Sequence, residues 1–143
     1  MHKKIVHSFL ITFLITFILG FGLLYVSLYK ASISQDRQYL MNTVKLVKNL
    51  EIDDLNTTRL GDTFKSEDIR ITIIKRNGKV LYDNYKDKIS EKHLQREEVK
   101  EAITQGTGTC IRYSNTMQRS YLYVADYEED NQTIVRLAMP FDV

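Results

Sequence analysis

The chain has 143 residues, with 20 Lys and Arg against 18 Asp and Glu, a net charge of +2, one cysteine and one proline. A balance so near neutrality leaves no basic footprint for nucleic acid. The lone Cys110 cannot close an internal disulfide or join other thiolates around zinc, which excludes a stapled mini-domain and a multi-cysteine zinc site.

Residues 5–28 contain no Lys, Arg, Asp or Glu. As a helix at ~1.5 Å per residue the segment is about 36 Å long, enough to cross a ~30 Å hydrocarbon core with some tilt. It exceeds the usual ~7–15 residues of a signal-peptide core, and its one small-x-small pair, Gly20-Phe21-Gly22, is followed by further apolar residues. A transmembrane helix is therefore expected. Residues 1–4 form a cytoplasmic tail carrying Lys3 and Lys4, and Tyr25 and Tyr29 are placed to anchor the outer end. Those two lysines are the whole net charge, so the region beyond the membrane is neutral. Ser8, Thr12, Thr16 and Gly20 recur every fourth residue. Such a stripe lets a second helix approach closely and its hydroxyls bond across; the alternative is that the hydroxyls bond their own preceding carbonyls.

About 114 residues follow Tyr29, the size of one small domain. Residues 31–60 lack Gly and Pro, and a long juxtamembrane helix is expected over 29–62, with Gly61 as its stop. Ile33, Leu40, Val44 and Val47 follow a/d-like spacing. With Gly20 in the membrane they form the candidate seam of a homodimer.

Residues 70–76 read as a strand, Asn77-Gly78 as a hairpin turn and residues 79–83 as the returning strand. Residues 89–105 read as helix in two pieces broken near His93, with Gly106 as the stop. Strands follow at 109–113, 119–127 and 133–139, and Pro140 ends the last. The middle one places Tyr121, Tyr123, Ala125 and Tyr127 on one face and Leu122 and Val124 on the other. Both faces are partly apolar, so helices must cover each. The expected fold is α+β: a transmembrane helix, then over residues 63–143 a PAS-like (Cache-like) sensor domain built on a five-stranded antiparallel sheet with flanking helices.

Several short motifs keep a distinctive order. Arg70-Ile-Thr-Ile-Ile74 precedes Asn77-Gly-Lys-Val-Leu-Tyr-Asp83, then His93-x-x-Arg96-x-Glu98-Val99, Ala102 and Gly106-x-Gly108. Arg112-Tyr113-Ser114-x-Thr116, Leu122-Tyr-Val-Ala125, Arg136 and Pro140 complete the set. Over residues 70–140 this series resembles the extracytoplasmic sensor region of bacterial membrane histidine kinases, closest to the phosphate-regulon type. Where that pattern has Pro and Ser, this chain has Glu97 and Asn84. The resemblance implies a membrane-bound homodimer that senses outside the cell and reaches a response regulator only through a kinase part. His2, His7 and His93 lack a phosphoacceptor box, the ATP-binding boxes are absent, and the chain stops at Val143. As given it is expected to be the non-enzymatic sensory half of a kinase, or a truncated relative. The alternative is a membrane-anchored extracytoplasmic interaction protein with no link to a kinase.

Arg112 and Arg136 are the best cations for an anionic ligand, and Tyr121 and Tyr123 could line its pocket. The same tyrosines could instead pack the sheet on a helix. Crowded apolar residues on both faces favour a closed core without a tight small-molecule site. His93 reads as structural, the acidic turn at 126–130 as solvated, and no metal or cofactor is implied. Thr107-Gly108-Thr109-Cys110 resembles the nucleophile region of membrane-anchored sortase transpeptidases, but His93 stands too near in sequence for that pattern, and a lone buried cysteine more often packs.

Overall fold

The computed structural model describes residues 2–49, 54–85, 93–115 and 117–141. Its elements are α1 (His2–Lys48), α2 (Asp54–Ser66), β1 (Arg70–Lys75), β2 (Val80–Asp83), a 3-10 turn (His93–Gln95), α3 (Glu97–Gln105), β3 (Thr107–Ser114), β4 (Arg119–Glu128) and β5 (Thr133–Pro140). The chain divides into two compact units, Met1–Gln35 and Asp36–Val143, and α1 contributes residues to both.

In the first unit the side chains of residues 5–28 are exposed: Leu23 is 74% exposed. The helix is long and apolar enough to cross a membrane. Phe13, Phe17 and Phe21 stack at i,i+4 spacing, with ring centroids 6.4 and 6.3 Å apart. Thr12 Oγ1 donates to the Ser8 carbonyl and Thr16 Oγ1 to the Phe13 carbonyl, each at 2.9 Å. Both threonine hydroxyls are thus satisfied within the helix.

The second unit is built on an antiparallel sheet of order β2-β1-β5-β4-β3. Asn77-Gly78 closes the β1–β2 hairpin as expected. Gly78 takes φ 86°, a left-handed conformation that favours glycine, while Asn77 Oδ1 accepts the Lys79 N–H at 3.0 Å. A register shift after Ile73 lets Leu81 bulge outward. Strict alternation then sorts the side chains. One face carries Ile74, Tyr121, Tyr123, Ala125, Ile134, Arg136 and Ala138, and the other Ile71, Ile73, Leu122, Val124, Val135 and Leu137. All of these are buried.

α3 covers the first face, where Val99 and Ala102 pack with Ile74, Val80, Ala125 and Ile134. Gly108 permits this contact: a Cβ there would stand 2.1 Å from the Glu98 carbonyl oxygen. Over the second face lie α2 and the end of α1. Lys48 Nζ donates to Asp126 Oδ1 at 2.5 Å, and Leu40, Val44 and Val47, on the same side of α1 as Lys48, are at most 2% exposed.

Four expectations change. Leu40, Val44 and Val47 are spent in the chain's own core, so they cannot also form a dimer seam without opening it. Gly61 does not stop a helix but lies inside α2, because that helix passes so close to β2 that a Cβ would meet Tyr82 Oη at 1.8 Å. β3 is longer than expected, and Asp126, near the end of the expected strand 119–127, is buried rather than solvated. The first piece of the helix expected at 89–105 lies partly outside the described residues, and the second is α3.

Candidate functional site

The α3-covered face contains a relay of charged groups. Its hub is Glu98, in the first turn of α3, where a carboxylate also gains from the helix dipole. Arg112 Nη2 donates to Glu98 Oε1 at 3.1 Å and Arg136 Nη1 to the same oxygen at 3.2 Å. The Cys110 thiol donates to Glu98 Oε2 at 3.1 Å. Three elements, α3, β3 and β5, therefore meet on one carboxylate.

From Arg136 the relay continues across the sheet. Its Nη2 donates to Thr72 Oγ1 at 3.0 Å, and that hydroxyl donates to Asp83 Oδ2 at 3.3 Å. Arg70 clamps Asp83 through Nε (3.1 Å) and Nη2 (2.7 Å) in a fork-to-carboxylate pair. Asp83 also accepts the Tyr85 backbone N–H at 3.0 Å. Asn84, next to it, bonds the Ile71 N–H and the Gly61 and Ile69 carbonyls, tying α2 to the hairpin.

Aromatic rings floor the relay. The Arg112 guanidinium lies 4.1 Å and that of Arg136 5.5 Å from the Tyr123 ring centroid. The Tyr121 ring is 6.2 Å from that of Tyr123, and Arg119 sits 5.4 Å over Tyr121 while pairing with Asp68. Arg112, Tyr121, Tyr123 and Arg136 are thus brought onto one face, but both arginines are already committed to Glu98.

Burial would raise the Glu98 carboxyl, yet Arg136, Arg112 and the thiol together outweigh it and hold it below its ordinary range. Burial and the Glu98 charge push the Cys110 thiol up to about 12. It is therefore protonated at neutral pH and lacks the thiolate a transpeptidase nucleophile requires. His93 is buried, and it falls to about 4 through burial and the charges of Arg136, Arg96 and Arg70, opposed by Asp83. Its backbone N–H donates to the Gly78 carbonyl at 3.2 Å, and it caps no helix: α3 begins after Arg96 with no side-chain cap bond. Among the described residues no group of three His, Cys, Asp or Glu could hold a metal ion.

Sequence reasoning picked out both arginines and both tyrosines but missed Glu98, Thr72, Asp83 and Arg70. A signal existed: Arg136 interrupts the apolar run Val135-Arg136-Leu137-Ala138, and a charge facing a core requires a partner. Which partner depends on α3.

No family model matches the chain, and no curated protein matches it. Among solved structures it is similar to the Bacillus subtilis YkuI protein, which has an EAL domain and was crystallised with its substrate c-di-GMP and calcium. The identity is 12%, over 77% of this chain and 32% of that one, with a TM-score of 0.51. It is also similar to the extracellular domain of rpHK1S-Z16, assigned as a histidine kinase, at 12% identity over 60% of this chain and 38% of that one, with a TM-score of 0.48. The chain thus spans less than two fifths of the length of either. At this identity the YkuI likeness is one of fold.

Proposed function

We propose that this chain is the extracytoplasmic sensing and membrane-transmitting region of a two-component histidine kinase of the phosphate-regulon type, its second unit a PAS-like (Cache-like) sensor module. The ordered motifs over residues 70–140 support the kinase type. The observation that carries the mechanism is the attachment of α1. A helix whose first part can cross a membrane ends on Lys48, ion-paired at 2.5 Å with Asp126 of the inner strand β4. A change in the sheet would be felt there as a push or pull on the end of α1, and displacements of ~1–2 Å are the usual scale of such signals. The N-terminus is inside the cell and the second unit outside. Chains pair by close approach of the small side chains Ser8, Thr12, Thr16 and Gly20, without bonds from the two threonine hydroxyls spent within the helix, rather than through Leu40, Val44 and Val47.

The test is a chimera joining residues 1–143 to a second membrane helix and a histidine kinase core. Autophosphorylation should change when phosphate is depleted, and Asp126→Asn should blunt the change while leaving the protein folded. Output that varies with other envelope stresses but not with phosphate removes the phosphate-regulon assignment. Output indifferent to replacing residues 36–143 removes the sensing role altogether. The second outcome would favour an anchored interaction protein, for which Ile111 (41% exposed) and Tyr113 (56% exposed) on the outer strand β3 offer an apolar contact.

A further inference from the structure

His93 sits where no charge can be added. His93 is buried, and the charged groups that act on its ring are Arg70 of β1, Asp83 of β2, Arg136 of β5 and Arg96 just before α3. Three of these four are cations. The one carboxylate, Asp83, is saturated by the Arg70 fork, the Thr72 hydroxyl and the Tyr85 N–H. Glu98, the other acid of the relay, is taken by Arg136, Arg112 and Cys110. Among these described groups an imidazolium would face three like charges and no carboxylate that is not already paired.

His93 Nδ1 has no hydrogen-bond partner, and neither has Arg136 Nε in the same cluster. The His93–Gln95 turn is seated on the hairpin by one long backbone bond, from the His93 N–H to the Gly78 carbonyl, and by Leu94 lying against Gly78. The turn runs straight into α3: Arg96 N–H donates to the His93 carbonyl, and the Val99 and Lys100 N–H groups donate to the Arg96 carbonyl. Moving His93 therefore moves the start of the helix that carries Glu98.

We propose that His93 is an acid-responsive latch: taking up a proton drives the His93–Gln95 turn off the β1–β2 hairpin and loosens the N-terminal end of α3 from the sheet. The titration range from the ordinary 6.5 down to about 4 covers mild to strong acidification. If the chain is a sensor, as proposed above, this names acidification as a stimulus acting through the hub of the relay. The latch itself rests on His93 and its neighbours alone.

The test uses the full chain in lipid nanodiscs. Hydrogen exchange is followed by mass spectrometry from pH 7 to pH 4, corrected for the intrinsic rate, while NMR of the labelled histidine rings follows the proton. The His93 ring should titrate well below the ordinary 6.5, and peptides over 93–105 should lose protection by up to roughly a hundredfold while β4 and β5 stay protected. In His93→Gln that loss should vanish. An ordinary His93 titration, equal loss in His93→Gln, or loss spread uniformly over the sheet would each overturn the latch. Should His93→Gln fail to fold, the wild-type ring titration and the location of the loss still decide. No kinase output is read, so failure here leaves the signalling reading to its own chimera assay.

Discussion

Arg136 Nη1 lies 3.2 Å from Glu98 Oε1, and neither side chain is more than 2% exposed. The two come from β5 and α3, 38 residues apart. A buried pair of this kind contributes modestly when intact, but removing one member strands the other in a low-dielectric site. Glu98→Ala should therefore lower unfolding free energy by about 3–5 kcal/mol in urea titration of the full chain. The double variant Glu98→Ala/Arg136→Met should recover part of that loss. Additive losses would show that the pair is not the source of the cost.

Glycine packing gives two contrasting outcomes. Gly61→Ala should gain up to ~1 kcal/mol from helix propensity but cost about 1–3 kcal/mol in overpacking against Tyr82, for a net loss. Because the obstacle is a side chain, adding Tyr82→Phe should restore part of the stability. Gly108→Ala meets the Glu98 carbonyl and the Ala102 backbone nitrogen instead, and no side-chain change can relieve it. Thermal unfolding of the set distinguishes a side-chain clash from a backbone one.

Stability should depend on pH through His93. Its native value is lowered from 6.5 to about 4, so between those values the unfolded chain binds the proton and the folded chain does not. The contribution is complete above pH 6.5, declines as pH falls, and is gone below about 4. From the size of the shift, about 3 kcal/mol should be lost across that window. In His93→Gln this component of the pH profile should be flat.

Cys110 should be slow toward thiol reagents at pH 8, because Glu98 and burial keep it protonated. Glu98→Gln removes the negative charge and should raise the labelling rate severalfold. In intact cells a reagent that cannot cross the membrane should label Cys110 once the domain is unfolded. Labelling only after lysis would reverse the topology.

Single cysteines test the dimer in a Cys110→Ser background. Position 20 should crosslink between chains in membranes, and positions 40 and 44 should not, since their side chains face the chain's own core. Efficient crosslinking at 40 and 44 with the fold intact would restore the outer seam.

The sequence by itself determined the features that arise from neighbours along the chain. An uncharged run sets a membrane-length helix, Asn77-Gly78 sets a hairpin, and alternation sets which face Tyr123 and Leu122 each occupy. These depend on hydropathy, turn chemistry and a period of two, all of which are local. Only the tertiary structure decided the rest. The same a/d-like pattern of Leu40, Val44 and Val47 suits a partner helix or the chain's own sheet, and the sheet covers them. Gly61 can end a helix or admit a tyrosine, and the approach of β2 chose the second. Arg112 and Arg136 look like free cations until α3 delivers Glu98 between them. Periodicity specifies which side chains point the same way, whereas the meeting of distant surfaces specifies what they touch.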